Sequence, residues 1–211
     1  MFITFEGIDN TGKSTQAKRL CQSLSNSVLS REPGGCFISK QIRSIIVRGT
    51  PDTMDATTEL LLINAARREH IKQHIKPNVD SGKIVIVDRY LDSTLAYQGG
   101  SISEYVILGF HRQLCFGYMP DLTFLIDLDP MISYTRETNQ KESRFEQRGL
   151  LFMASVRDRF LERAKANPDT HIIIDGKQSL EDIQGQIARK VHHKLEETFK
   201  FFLEELILND L

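Results

Sequence analysis

Residues 7–14 read Gly-Ile-Asp-Asn-Thr-Gly-Lys-Ser and follow directly on the apolar run Phe2-Ile3-Thr4-Phe5. The pattern G-x-x-x-x-G-K-S, placed between a strand and the helix-competent stretch Thr15 to Leu20, dictates a strand–loop–helix unit that cradles a phosphate chain. Gly7 and Gly12 let the backbone turn tightly, so that successive N–H groups from Asp9, Asn10, Thr11 and the helix start through Thr15 are aimed inward. The helix that begins at the loop adds the positive end of its dipole. Lys13 supplies a mobile cation for β- and γ-phosphates, and the Ser14 hydroxyl can ligate Mg²⁺.

The rest of the chain repeats the same alternation. Short apolar runs rich in β-branched residues at Ile3–Phe5, Val28–Leu29, Ile84–Val87, Leu122–Ile126 and Ile172–Ile174 are separated by longer helical patterns. Alternating strands and helices imply an α/β fold, a five-stranded parallel sheet with helices on both faces. The third and fifth runs are continuously apolar, which predicts strands buried on both faces. Glu6, Asp88, Asp127 and Asp175 end four of the runs, and ligands bind beyond the carboxyl ends of such strands, so all four are expected at one crevice. Helices are predicted over Glu59–Ile75 and Met153–Ala166, and Leu195, Phe199, Phe202, Leu203, Leu206 and Ile207 form an apolar stripe near the end. With 211 residues and no low-complexity linker, residues 1–211 are expected to form one domain.

Composition narrows the partners. A net charge of −1 provides no basic field to collect nucleic acid. No apolar run approaches the ~20 residues of a membrane span, and the early first strand is expected to leave no room for a signal peptide. Cys21, Cys36 and Cys115 form no C-x-x-C pair and read as reduced thiols of a cytoplasmic protein. His70 and His74 have the i, i+4 spacing of a metal pair without the rest of that motif, and read as a solvated helix face. There are many cations but no evident nucleophile–base pair. Phosphoryl transfer to another phosphate fits, because a phosphate monoester, with a second pKa of about 6, is already a dianion and needs positioning rather than a general base.

Two further sets of charges sit where such chemistry needs them. Arg31-Glu32-Pro33-Gly34-Gly35 follows the second strand, and Asp88-Arg89-Tyr90 ends the third, where phosphate-loop enzymes carry an acidic residue for the metal. Arg136, Glu137, Lys141, Glu142, Arg144, Glu146 and Arg148 crowd into one stretch with Phe145 as its only large apolar residue. Mixed charge runs are most often solvated loops. Beside a phosphate loop, the same run reads as a flap that brings arginines over the phosphates.

In order and spacing these pieces, with Phe5-Glu6-Gly7-Ile8-Asp9, Arg67-Arg68-Glu69-His70, Asp92-Ser93-Thr94-Leu95-Ala96-Tyr97-Gln98-Gly99, Pro120-Asp121 and Arg144-Phe145-Glu146, resemble the thymidylate kinase (dTMP kinase) family along nearly the whole chain. The resemblance implies a nucleoside monophosphate kinase fold and the reaction ATP + dTMP → ADP + dTDP with Mg²⁺. It implies a flap over about residues 136–149, a C-terminal helix over about 180–208 and a homodimer. Asp9 would hold the sugar 3′-hydroxyl and acceptor-phosphate region. Arg31 and Arg89 would grip the dTMP phosphate, with Glu32 orienting both and Pro33 beside them. Arg67 would donate to a thymine carbonyl, Thr94 and Gln98 would reach the base edge, and Tyr97 would crowd the sugar's 2′ position. Arg136 would lie on the adenine, with the backbone at Asp175-Gly176-Lys177 completing that pocket. Asp88, directly or through water, would join Ser14 at the metal.

Some members of the family carry a catalytic arginine inside the phosphate loop, and here that position is Asn10. The charge is therefore expected from the flap, as in the bacterial type, with Arg144 first and Arg148 or Lys141 as alternatives, alongside Lys13 and Arg89. Ile63 stands where the family usually has a Phe on thymine, Cys36 where it has Thr, and Met153 where it has His. A broader pyrimidine deoxynucleotide kinase, or a phosphate-loop ATPase that works as a switch, are the other readings of the same motifs.

Overall fold

The computed structural model describes residues 1–136 and 144–209, with the backbone alone described for 146 and 201–209. Its strands are β1 (Phe2–Glu6), β2 (Ser27–Arg31), β3 (Ile84–Asp88), β4 (Leu122–Asp127) and β5 (His171–Asp175). They form one sheet in the order β2-β3-β1-β4-β5, and every pairing is parallel. The helices are α1 (Lys13–Ser23), α2 (Phe37–Ile46), α3 (Ala56–His70), α4 (Lys76–Asp80), α5 (Leu91–Gln98), α6 (Glu104–Leu114), α7 (Pro130–Thr135), α8 (Gly149–Ala166) and α9 (Leu180–Asn209).

Alternation along β1 sorts the layers. Ile3 and Phe5 point to one face, where Leu20 of α1 and Ile183, Ile187 and Val191 of α9 cover them. Phe2 points to the other, among Leu60, Ile71, Val85, Val87 and Ile107. A third cluster, Ile8, Ala96, Tyr97, Val156 and Phe160, fills the space between α5 and α8. Burying each such side chain contributes about 1.5–3 kcal/mol, so truncating Phe124 at the sheet centre is expected to cost about 3–5 kcal/mol.

Two expectations about elements change. The fifth strand lies at the sheet edge with Ile173 half exposed, so its apolar run is covered on one side only, and of these two runs β3 alone is buried on both faces. The helix expected at Glu59–Ile75 starts earlier, at Ala56, because the Asp55 side chain caps it by accepting from the Thr57 and Thr58 N–H groups at 2.9 and 3.1 Å. It continues through a π turn at Ile71–Ile75 into α4. That wide turn precedes Pro77, which has no N–H to give to the preceding turn. Leu195 of the C-terminal stripe packs on the core, and Phe199 is exposed. The other stripe side chains lie outside the described residues.

Candidate active site

A cavity of ≈ 1020 Å³ opens beyond the carboxyl ends of the central strands, lined by the loop after β1, the ends of β2 and β3, and residues of α2, α3 and α5. Asp88 is the only one of the four strand-end carboxylates that lines it. Glu6 points to the α5 face of the sheet and accepts from the Tyr90 N–H at 2.7 Å and the Ser93 hydroxyl at 2.6 Å. Asp127 is held by Arg157 through two bonds of 2.6 and 2.8 Å, and Asp175 accepts from the Lys177 N–H. The expectation of four converging acids therefore fails: alternation and an available arginine turn three of them to structural work.

One end of the cavity is built from backbone. Gly7 has φ +137°, and a Cβ there would stand 2.6 Å from the Ile126 carbonyl, so only glycine fits between β1 and β4. Gly12, at φ +92°, starts α1. Asn10, Lys13, Ser14 and Thr15 line the space, while Thr11 is buried and donates its hydroxyl to the Ile8 carbonyl. Lys13 is buried and donates to the Ile8 carbonyl at 3.0 Å, with Asp9 3.6 Å away. Burial, helped by the charge on Arg89, pulls its pKa down. The Ser14 hydroxyl donates to Asp88 Oδ2 at 2.5 Å, while Asp88 Oδ1 is buried with no protein partner. A hydroxyl beside a carboxylate with a spare oxygen is a hard donor set that fits Mg²⁺ carried in on phosphates.

The other end is built from side chains. Arg89 has a left-handed backbone, φ +70°, with its N–H on the Phe5 carbonyl at 2.9 Å. This turns its guanidinium onto Asp9 (2.6 Å), the Gly7 carbonyl (2.9 Å) and Ser93 (3.0 Å). Burial works to raise the Asp9 carboxyl, but Arg89 and Lys13 together hold it far below the usual carboxylate range. Arg31 reaches Asp88 at 3.5 Å, and Arg43 of α2 donates to the Pro33 carbonyl at 3.1 Å. Burial and the neighbouring charges of Arg31 and Arg89 depress Arg43. Three guanidiniums this crowded make a receptor for a dianion.

Deeper in, Glu32 accepts from Arg67 Nε at 2.7 Å and pairs with His70 Nδ1 at 3.0 Å. Arg67 also donates to the Tyr90 carbonyl (3.0 Å) and the Thr94 hydroxyl (2.8 Å), while its Nη1 is buried with no protein partner. Glu32 thus orients Arg67 and not Arg31 or Arg89, which corrects the role expected of it. His70 is corrected as well: it is fully buried, bridging Glu32 and the Ser30 hydroxyl (2.7 Å), and a Cβ on Gly35 would come within 2.2 Å of its ring. Pro33, Ile63, Thr94, Tyr97 and Gln98 line the same end of the cavity. The Tyr97 hydroxyl lies 3.4 Å from Asp9, and its ring meets the edge of Phe145 at 5.4 Å. Arg136 lines the cavity and donates to the Gly176 carbonyl at 3.2 Å, bringing those two expected adenine neighbours together.

Arg144 is placed differently from the flap arginine expected over the phosphates. It is fully buried, donates to the Ile46 carbonyl at 3.1 Å and pairs with Glu59 of α3. Arg148 lies over the ring of Phe152 at 4.7 Å, and Lys141 falls outside the described residues. Sequence reasoning missed Arg43, Ser93 and Glu59. Arg43 is one cation on an apolar helix, Ser93 one hydroxyl within a recognised run, and Glu59 reads as an ordinary first-turn acid that complements the helix dipole.

Known proteins of one family are similar to this chain over most of its length. The thymidylate kinase family model matches residues 5–187. A thymidylate kinase of Magnetococcus marinus is 46% identical over 198 residues, 90% of this chain and 94% of that protein. One from Dinoroseobacter shibae is 42% identical over 192 residues, 88% of this chain and 93% of that protein. The crystal structure of thymidylate kinase from Ehrlichia chaffeensis superposes with a TM-score of 0.73 at 35% identity, covering 90% of this chain and 98% of that one.

Proposed function

Because the chain belongs to the thymidylate kinase family and is a phosphotransferase that converts dTMP to dTDP with ATP, we propose that its cavity divides that reaction between a backbone cradle and a guanidinium cluster. The single observation that carries the division is that both open into one cavity, with the Asp9–Arg89 pair at their junction. The loop through Gly12, Lys13 and Thr15 takes the triphosphate, and Arg136 with the Gly176 backbone takes the adenine. Arg31, Arg43 and Arg89 hold the dTMP phosphate. Ile63 gives the thymine an apolar wall, Arg67 Nη1 meets a base carbonyl, Gln98 meets the ring N–H, and Tyr97 closes the sugar side.

Ser14 and Asp88 would hold Mg²⁺, which neutralises charge on the phosphates when bound. In the transfer, an oxygen of the dTMP phosphate forms a bond to the γ-phosphorus as the bond to the β,γ-bridging oxygen breaks, and ADP leaves with that electron pair. The attacking oxygen is already anionic, so no base is required. Lys13 and Arg89 stabilise the charge spread over the moving group, because both reach the junction. Arg144, tied to Glu59, acts on position rather than on the phosphates.

The test is turnover with ATP–Mg²⁺ across a panel of nucleoside monophosphates. ADP release that depends on dTMP supports the assignment. Release indifferent to every monophosphate would instead support an ATPase switch, and equal kcat/KM for dTMP and dCMP a broad pyrimidine kinase.

A homodimer belongs to the same proposal, since Phe37, Ile45, Leu61 and Tyr105 leave apolar surface exposed on α2, α3 and α6. Sedimentation as a monomer at micromolar concentration would count against it. Among the described residues no helix is long and apolar enough to cross a membrane, which is consistent with the cytoplasmic location proposed for such an enzyme.

A further inference from the structure

Glu59 lies on α3, buried, and touches neither phosphate region. Its two oxygens have different partners: Oε1 accepts from the amide nitrogen of Gln98, and Oε2 from the guanidinium of Arg144. Gln98 is itself almost fully buried and lines the base end of the cavity, and its Oε1 has no protein partner. An amide's oxygen and nitrogen are distinguished by what they bond. A carboxylate can only accept, so the amide nitrogen must face Glu59 and the carbonyl oxygen must face the cavity.

We infer that Glu59 is a specificity-determining positioning residue: it fixes the amide of Gln98 so that the base pocket presents one donor and one acceptor, and Arg144 holds its carboxylate in place. The donor is Arg67 Nη1, buried and without a protein partner, and its direction is fixed by Glu32, Tyr90 and Thr94. The acceptor is Gln98 Oε1. The 4-carbonyl and N3–H of thymine complement that order. Cytosine reverses it, setting its amino group against the guanidinium and its bare N3 against the amide oxygen. Leaving such buried groups unpaired is what makes polar pockets discriminate strongly. If Glu59 became a neutral amide, it would be able to donate as well as accept. Gln98 would then be free to rotate and show its NH₂ to the base.

Arg144 enters because it belongs to the run of mixed charge expected as a flap. Its N–H also meets the Val47 carbonyl at 3.5 Å, and the ring of Phe145 beside it lines the cavity. The flap arginine therefore reaches the base pocket through Glu59, with no contact to the base itself.

This rests on the placement of thymine proposed above, and it is tested by Glu59→Gln, which keeps the shape. The readouts are kcat and KM for dTMP and dCMP, with equilibrium binding of both nucleotides by calorimetry. The expected result is a fall of at least about tenfold in the dTMP-to-dCMP preference, carried by KM and by binding, with kcat for dTMP changed less. A uniform loss of kcat on both substrates, with the preference unchanged, overturns the inference and leaves Glu59 a structural residue. Should Glu59→Gln fail to fold, Arg144→Gln serves in its place. Removing this partner leaves the Glu59 carboxylate free to turn from Gln98, and the same fall in preference is expected, an unchanged preference again being fatal. Wild-type protein that does not turn over dTMP would strike the functional reading instead. The two failures are therefore separable.

Discussion

The two ends of the cavity are built by different means. The phosphate loop is one contiguous segment whose work is done by backbone N–H groups and a single lysine. The acceptor end draws side chains from β2, α2, α3, β3 and α5, and most of its polar members are held by another side chain. A backbone cradle is specified by glycine spacing, because Gly7 and Gly12 sit at φ values that other residues rarely adopt. A side-chain pocket is specified by pairs such as Glu32–Arg67, which lie 35 positions apart in the chain. The first kind tolerates change everywhere except at a few fixed positions. The second is only as good as its least supported member.

The contrast can be broken first at Lys13. Lys13→Met removes the lysine proposed to reach the phosphates and keeps the backbone cradle. A loss of about 10²–10³-fold in kcat is expected, with dTMP affinity within a few-fold of normal. If dTMP binding fell as far as kcat, the two ends would not be separable in the way described.

The acceptor end is probed next, through Glu32. Glu32→Gln leaves Arg67 buried without its counter-charge, and breaking a buried pair of this kind costs about 3 kcal/mol or more. Thermal unfolding should show that loss of stability, and KM for dTMP should rise because Arg67 loses its aim. The effect on ATP binding should be small. A variant as stable as the parent would mean that Glu32 does not organise this end.

How much of this could be read from the sequence follows the same contrast. The loop, the parallel sheet and the strand ends at Asp88 and Arg31 were legible because each rests on local spacing. Arg43 was not, since only the docking of α2 brings it back beside Pro33. His70 looked solvated because its polar neighbours are charged residues of the same helix, yet its partners Glu32 and Ser30 come from the β2 side. The role expected of Glu32 came with the family resemblance, and in the structure its carboxylate turns instead to Arg67 and His70, partners that only the docking of α3 brings beside it. Arg144 was found as a residue of interest, but its burial against Glu59 and Ile46 depends on how the flap meets α2 and α3.

The smallest expected effect concerns Glu6, which lies outside the cavity lining and touches Arg89 only through Ser93. It follows directly into Gly7 of the loop, and its Oε2 accepts from Ser93, the hydroxyl that also accepts from Arg89. Burial, with the charge of Asp92 adding to it, pushes the Glu6 carboxyl up to about 7, against the pull of Ser93, Arg89 and the Tyr90 N–H. The folded protein then holds a proton on Glu6 that the unfolded chain, with its carboxyl near 4.5, has released. The stability linked to that proton is fully present below the unfolded value and is lost as pH rises through the folded one, at most about 3 kcal/mol across the window. Glu6→Gln keeps an oxygen for the Tyr90 N–H and an NH₂ for Ser93, and carries no proton to lose. Denaturant unfolding of both proteins at pH 5 and pH 8 should therefore show the variant gaining on the parent as pH rises. A difference between them that stays constant over that range would mean the Glu6 carboxyl is ionised throughout, and that its bonds to Ser93 and the Tyr90 N–H are made by a charge rather than by a protonated acid.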